Sequence, residues 1–137
     1  MQKRDWTNPW LIGLGIAGLA NLGNGVWMLL DPAGWYAGLP AAVPDTGPLN
    51  PHYVRDIGSA CSMIGAALLV AALRPRWRVP ALAMTTLFYL LHALVHVTDT
   101  VAGRLPSSHW SIDFPGVYFP TLVLIAVTLA ALRRADA

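Results

Sequence analysis

The sequence predicts an all-α fold, an integral membrane four-helix bundle made by a single domain over residues 1–137. Three observations carry that expectation. The chain is 55% hydrophobic and only 12% charged, with no glutamate, which is too little charge to cover a water-soluble domain of this size. Four apolar stretches, about Pro9 to Leu30, Val54 to Leu73, Val79 to Thr98 and Phe114 to Leu132, each approach the roughly 20 residues that cross a bilayer as helix. The charges are also segregated. Lys3, Arg4, Arg74, Arg76, Arg78, Arg133 and Arg134 flank one set of ends, and only Arg55 and Arg104 flank the other. The positive-inside rule then puts both termini in the cytoplasm, with Asp31, Asp45, Asp56, Asp99 and Asp113 outside. The pI near 9.0 therefore reflects topology, and no nucleic-acid partner is expected.

Taken in order, the first stretch follows Lys3 and Arg4 and so resembles a signal peptide. Its apolar run is too long for one, and no small-residue cleavage site follows, so it is expected to remain as a span. Trp6, Trp10 and Trp77 fall at the inner boundaries and Trp27, Trp35 and Trp110 at or beyond the outer ones, as headgroup-level aromatic belts require. The first outer loop, Asp31 to His52, holds Pro32, Pro40, Pro44, Pro48 and Pro51 with Trp35 and Tyr36, which suits an ordered cap. Along the second span, Gly58, Ser62 and Ala66 recur every four residues, the spacing that lets membrane helices approach closely. Arg74 to Arg78 is a tight turn that makes spans two and three antiparallel neighbours. A second outer loop, Gly103 to Asp113, carries His109 and Trp110, and the two outer loops together are expected to cap the bundle. Pro115 and Pro120 should fix or kink the start of the fourth span.

Helical spacing gathers the polar groups. On span three, Thr85, Tyr89, His92, His96, Asp99 and Gly103 run along one face, with His92 roughly 20 Å from the cytoplasmic end. On span two, His52, Asp56 and Ser59 share a face; on span one, Asn21 and Asn24 lie in the same outer half. Ionisable groups within a span are costly unless paired, so this stripe marks a candidate site. Two histidines at i and i+4 can bind one metal ion from the same side, and a carboxylate a turn away can complete the shell. The expected ligands are His92, His96 and Asp99, with His52 and Asp56 supplied by span two; Asn21, Asn24, Arg55 and Ser59 are the expected cofactor-binding residues around them. Imidazole and carboxylate donors suit copper, zinc or iron, whereas the lone Cys61 rules out an internal disulfide and any thiolate cluster. A haem fits less well, because His92 and His96 on one helix cannot both be axial to one iron. The competing expectation is structural: the two histidines hydrogen-bond to Asn21, Asn24, Ser59 or Thr98, Arg55 pairs with Asp99 or Asp56, and His109 is an exposed loop residue.

The four-span layout, the glycine-rich segment GLGIAGLANLGNG and the small-residue segment RDIGSACSMIGAALL resemble the small four-helix bacterial membrane proteins of the DoxX-like type. That resemblance implies an association with membrane redox chemistry and supplies no catalytic residues. The sequence thus points to a multi-pass protein of the bacterial inner (plasma) membrane, in contact with the lipid bilayer, whose His/Asp site faces the periplasm or exterior and is metal-binding and redox-associated. Two alternatives stand beside it. One is a non-catalytic accessory subunit that packs through the small-residue face of span one or two, against a larger membrane complex or another copy of itself. The other is a small transporter or ligand-binding module.

Overall fold

The computed structural model describes residues 8–135. The chain runs through α1 (Pro9–Leu30), α2 (Pro32–Gly38), a 3-10 turn (Val43–Thr46), α3 (Pro51–Leu73), a second 3-10 turn (Pro75–Trp77), α4 (Arg78–Val101), α5 (His109–Ile112), a π-helical turn (Phe114–Tyr118) and α6 (Phe119–Ala135). There is no strand among the described residues. Four segments are long and apolar enough to cross a membrane: Pro9–Leu30, Pro51–Leu73, Pro75–Val101 and Phe114–Arg133. Lys3, Arg4, Asp5, Trp6 and Asp136 lie outside the described residues.

One device starts three of the helices. Asn8, Asp31 and Asn50 each precede a proline and each turn a side-chain oxygen back onto the following turn. Asn8 accepts from Trp10 N at 2.9 Å, Asp31 from Gly34 N at 2.9 Å, and Asn50 from His52 N at 3.1 Å and Tyr53 N at 3.3 Å. Proline in the first helical position lacks the N–H that would otherwise be orphaned there, and its fixed φ is already helical. This cap is why α3 begins at Pro51, three residues before the apolar run at Val54.

The helices pack as two pairs, α1 on α3 and α4 on α6, joined where α3 meets α4 through the short turn. In the first pair the backbones nearly touch. A Cβ built at Gly65 would stand 2.5 Å from Leu22 N and 2.7 Å from Gly18 O, and one at Gly58 would stand 2.8 Å from Met28 Cβ and 2.9 Å from Gly25 O. Of the small-residue row on α3, Gly58 and Ser62 thus face α1 of the same chain, whereas Ala66 is exposed. In the second pair, hydroxyls bind across the interface: Thr86 Oγ1 lies 2.7 Å from Thr128 Oγ1 and donates to Leu124 O at 3.3 Å, and Thr121 Oγ1 donates to Tyr89 O at 3.3 Å.

The apolar core is asymmetric along the bundle. Toward the end formed by the turn between α3 and α4, all four long helices contribute to one cluster of Leu14, Ile64, Leu68, Ala71, Ala72, Ala81, Leu82 and Ala131. We call this the arginine end. Toward the opposite, loop end, the buried apolar cluster contains only Met28, Val54 and Cys61, with Trp35 and Leu49 against it, all contributed by α1 to α3. At the loop end of α4 and α6 the buried groups are mixed, with Thr100, His109, Asp113 and Thr121 beside Ala93, Leu105 and Val117. Large apolar side chains such as Ile16, Leu19, Met63, Met84 and Leu122 point outward from every long helix. An outward-facing apolar surface of this kind is what a lipid environment accommodates and water does not.

The segment between α1 and α3 is ordered. Trp35 Nε1 donates to Asn24 Oδ1 at 2.9 Å, fastening α2 to α1, and the Tyr36 hydroxyl donates to Gly47 O at 2.6 Å. Between them the chain turns through Ala42 at φ +47° and Gly47 at φ +126°. The result presents Asp45 toward the far helices.

Candidate metal centre

Three separate pieces of chain meet at the loop end. His92 and His96 occupy successive turns of α4, with ring centroids 4.6 Å apart, and Phe88 stacks on the other side of His92 at 6.1 Å. Beyond Val101 the chain reverses at Gly103, whose φ of +70° suits a residue without Cβ. Asp99 O closes the reversal by accepting from Arg104 N at 2.8 Å and Leu105 N at 3.2 Å. Leu105 is buried, and this tucks the following residues under the loop end. His109 N then donates to Pro106 O and a single helical turn, α5, follows. Asp113 ends α5 and begins the π-turn, its carbonyl accepting from both Val117 N at 2.7 Å and Tyr118 N at 3.3 Å. Pro115 lies in the first turn, where its missing N–H would be orphaned in any case, and the π spacing comes from Tyr118 N reaching back to Asp113 O.

The side chains converge on Asp113. His96 Nδ1 lies 2.7 Å from Asp113 Oδ2. His109 Nδ1 lies 3.3 Å from Oδ1 and 3.2 Å from Oδ2 of the same carboxylate. The other ring nitrogen of His109, Nε2, lies 3.2 Å from Asp45 Oδ2, which reaches it from the loop between α1 and α3. His109 is 0% exposed and Asp113 1%, whereas Asp45 is 43% exposed. A carboxylate withdrawn this far from water needs partners on its oxygens, and imidazole nitrogens from two different elements lie against them.

The same three residues could hold a metal ion. One ligand atom each from His96, His109 and Asp113 lies within 4.8 Å of the other two. Donors bound tetrahedrally at about 2.1 Å stand roughly 3.4 Å from one another, which compares with the 2.7 Å and 3.2 Å contacts to Asp113 and the 4.8 Å that bounds all three. Asp45 then has a defined part. A histidine that ligates through one nitrogen donates its other N–H to a carboxylate or carbonyl, which fixes tautomer and ring plane. His109 has that arrangement, with Nδ1 toward the shared centre and Nε2 toward Asp45.

Of the ligands expected from sequence, His96 belongs to this group, and His92 lies beside it one turn deeper without entering it. Asp99 turns to Arg104, with Oδ1 2.6 Å from Nη1. His52 and Asp56 pair with each other on the exposed face of α3 at 3.5 Å, away from the cluster. Arg55 donates to Leu29 O at 3.4 Å and Ser59 to Arg55 O at 3.0 Å. Asn21 accepts from the Tyr89 hydroxyl at 3.0 Å and so ties α1 to α4, while Asn24 holds Trp35. His109, expected as an exposed loop residue, is fully buried; the loop folds into α5 and carries the ring inward. Asp113 and Asp45 were not anticipated as site residues. One local signal for Asp113 was available, since His109 and Asp113 stand at i and i+4. No protein-family model, curated protein or solved structure matches this chain.

Proposed function

We propose that this is a multi-pass protein of the bacterial inner membrane, with both termini cytoplasmic, whose loop end faces outward and binds a divalent transition-metal ion through His96, His109 and Asp113. The observation that supports it most directly is the fully buried His109, with one nitrogen aimed at the shared carboxylate and the other at Asp45. Bound to an ion, a neutral His109 satisfies both directions at once, with a lone pair to the metal and an N–H to Asp45. Two imidazoles and one carboxylate suit zinc or ferrous iron, and copper(I), which favours sulfur, less well. Three protein ligands also leave a coordination position open, as catalytic sites do and structural zinc sites do not. Ferrous iron there would supply the redox association that the DoxX-like resemblance implies.

Protein purified in mild detergent, loaded with zinc or ferrous iron and desalted, is expected to retain about one ion per chain by elemental analysis. His109→Ala and Asp113→Asn should fall to background, and His52→Ala should match the wild type. Asp45→Asn should keep the ion but bind it about 10- to 100-fold more weakly. Equal, substoichiometric metal in all of these proteins would remove the metal reading and leave the cluster as a clasp between segments.

The topology has its own measurement. A reporter fused after Ala137 should be active on the cytoplasmic side, and one inserted near Thr46 only on the exterior. The reverse pattern would turn the site toward the cytoplasm.

A further inference from the structure

The arginine end carries a feature that the metal centre leaves unexplained. Arg74, Arg76 and Arg78 crowd the turn between α3 and α4, and Arg133 lies exposed near the end of α6. Every aspartate among the described residues lies toward the other end, so no described carboxylate pairs with these arginines. Arg78 is held in place. Its guanidinium lies over the Trp10 ring, 5.4 Å from the centroid, and this joins the start of α4 to the start of α1. Its Nε is buried and has no hydrogen-bond partner among the described residues. A guanidinium donates through a rigid planar fork, and a fork fixed against an aromatic face with one buried donor unmatched is prepared for an acceptor of fixed geometry.

We infer that Arg78, with Arg74 and Arg76, forms a binding site for the phosphodiester of an anionic phospholipid headgroup. A phosphodiester offers two oxygens to the fork, and its charge is complementary to the cluster. The choice of a lipid over free phosphate rests on the surroundings: Leu73 and Trp77, both about half exposed, adjoin the arginines and give the acyl chains and glycerol an apolar surface. Basic pockets between spanning helices hold lipid headgroups in this way. The inference rests on the membrane reading of the bundle and is independent of the metal centre.

The test is lipid binding by the full chain in mild detergent micelles, followed by native mass spectrometry with phosphatidylglycerol and with phosphatidylcholine. The wild type is expected to retain phosphatidylglycerol in preference to phosphatidylcholine. Arg78→Gln should weaken that retention about tenfold, as should Arg78→Lys, which keeps the charge and loses the fork. Arg55→Gln, at the opposite end, should behave as wild type. Equal retention of the two lipids, or equal loss in Arg78→Gln and Arg55→Gln, would overturn the site. So would competition by millimolar inorganic phosphate, which would reassign it to a soluble anion. If Arg78→Gln does not fold, the paired exposed change Arg74→Gln/Arg76→Gln is expected to reduce the same preference, and an unchanged preference there overturns the site equally. Failure of the membrane reading would show separately, as a chain that stays monodisperse without detergent.

Discussion

Asp113→Ala is expected to be the most damaging single change at the loop end, lowering stability by about 3 to 5 kcal/mol even without metal. The carboxylate is 1% exposed and is the shared partner of His96 and His109. Removing it leaves two imidazole nitrogens facing a cavity, one of them on a ring with no exposure at all. His109 keeps only its contact with Asp45, and α5 loses the side chain that anchors it to α4. Asp113→Asn should be less severe, because the amide oxygen still accepts from one histidine while its NH2 confronts the other. Thermal unfolding in detergent, followed by tryptophan fluorescence, measures both. A loss below about 1 kcal/mol for Asp113→Ala would mean that water already satisfies these groups.

Gly65→Leu is expected to separate α1 from α3 and to abolish folded protein. The reason lies in the backbone, since even a Cβ at Gly65 stands 2.5 Å from Leu22 N and 2.7 Å from Gly18 O, atoms that cannot rotate away. Gly65→Ala alone should therefore cost about 1 to 3 kcal/mol. Gly13 and Gly23 on α1 provide the control. A Cβ there meets nothing within 4 Å, so alanine at either position should be neutral or stabilise by up to about 1 kcal/mol through helix propensity. Heat-resistant folded fraction after detergent extraction separates the two classes, and similar behaviour of Gly65→Ala and Gly13→Ala would contradict the packing described.

The four long apolar helices were readable from sequence because length and hydropathy are one-dimensional properties, met or missed by each stretch on its own. The α4 stripe was readable for a similar reason: His92 and His96 share a face by helical geometry alone. Asp99 sits on the same stripe by spacing, yet the chain reverses at Gly103 and brings Arg104 back to it, so a turn decided its partner. The centre itself depends on contacts that no local period encodes. His96 meets Asp113 across 17 residues and His109 meets Asp45 across 64. Both rely on where α5 and the π-turn aim their side chains. The helix starts, by contrast, were written locally in Asn8-Pro9, Asp31-Pro32 and Asn50-Pro51.

The reach from Asp45 to His109 also orders events during biosynthesis. The α1 and α3 pair, with its interlocked glycines, is complete within residues 9–73 and can assemble as soon as residue 73 has emerged. Asp45 must then wait, in the turn that Tyr36 ties down at Gly47 O, while α4 is made and the reversal at Gly103 delivers α5. If the parts form in order of synthesis, the cluster closes only after α5 and Asp113 have emerged, and the packing of α6 on α4 follows. A nascent chain stalled before residue 109 would hold the α1–α3 hairpin without His109 or Asp113, so the proposed metal site needs the chain to extend at least through Asp113.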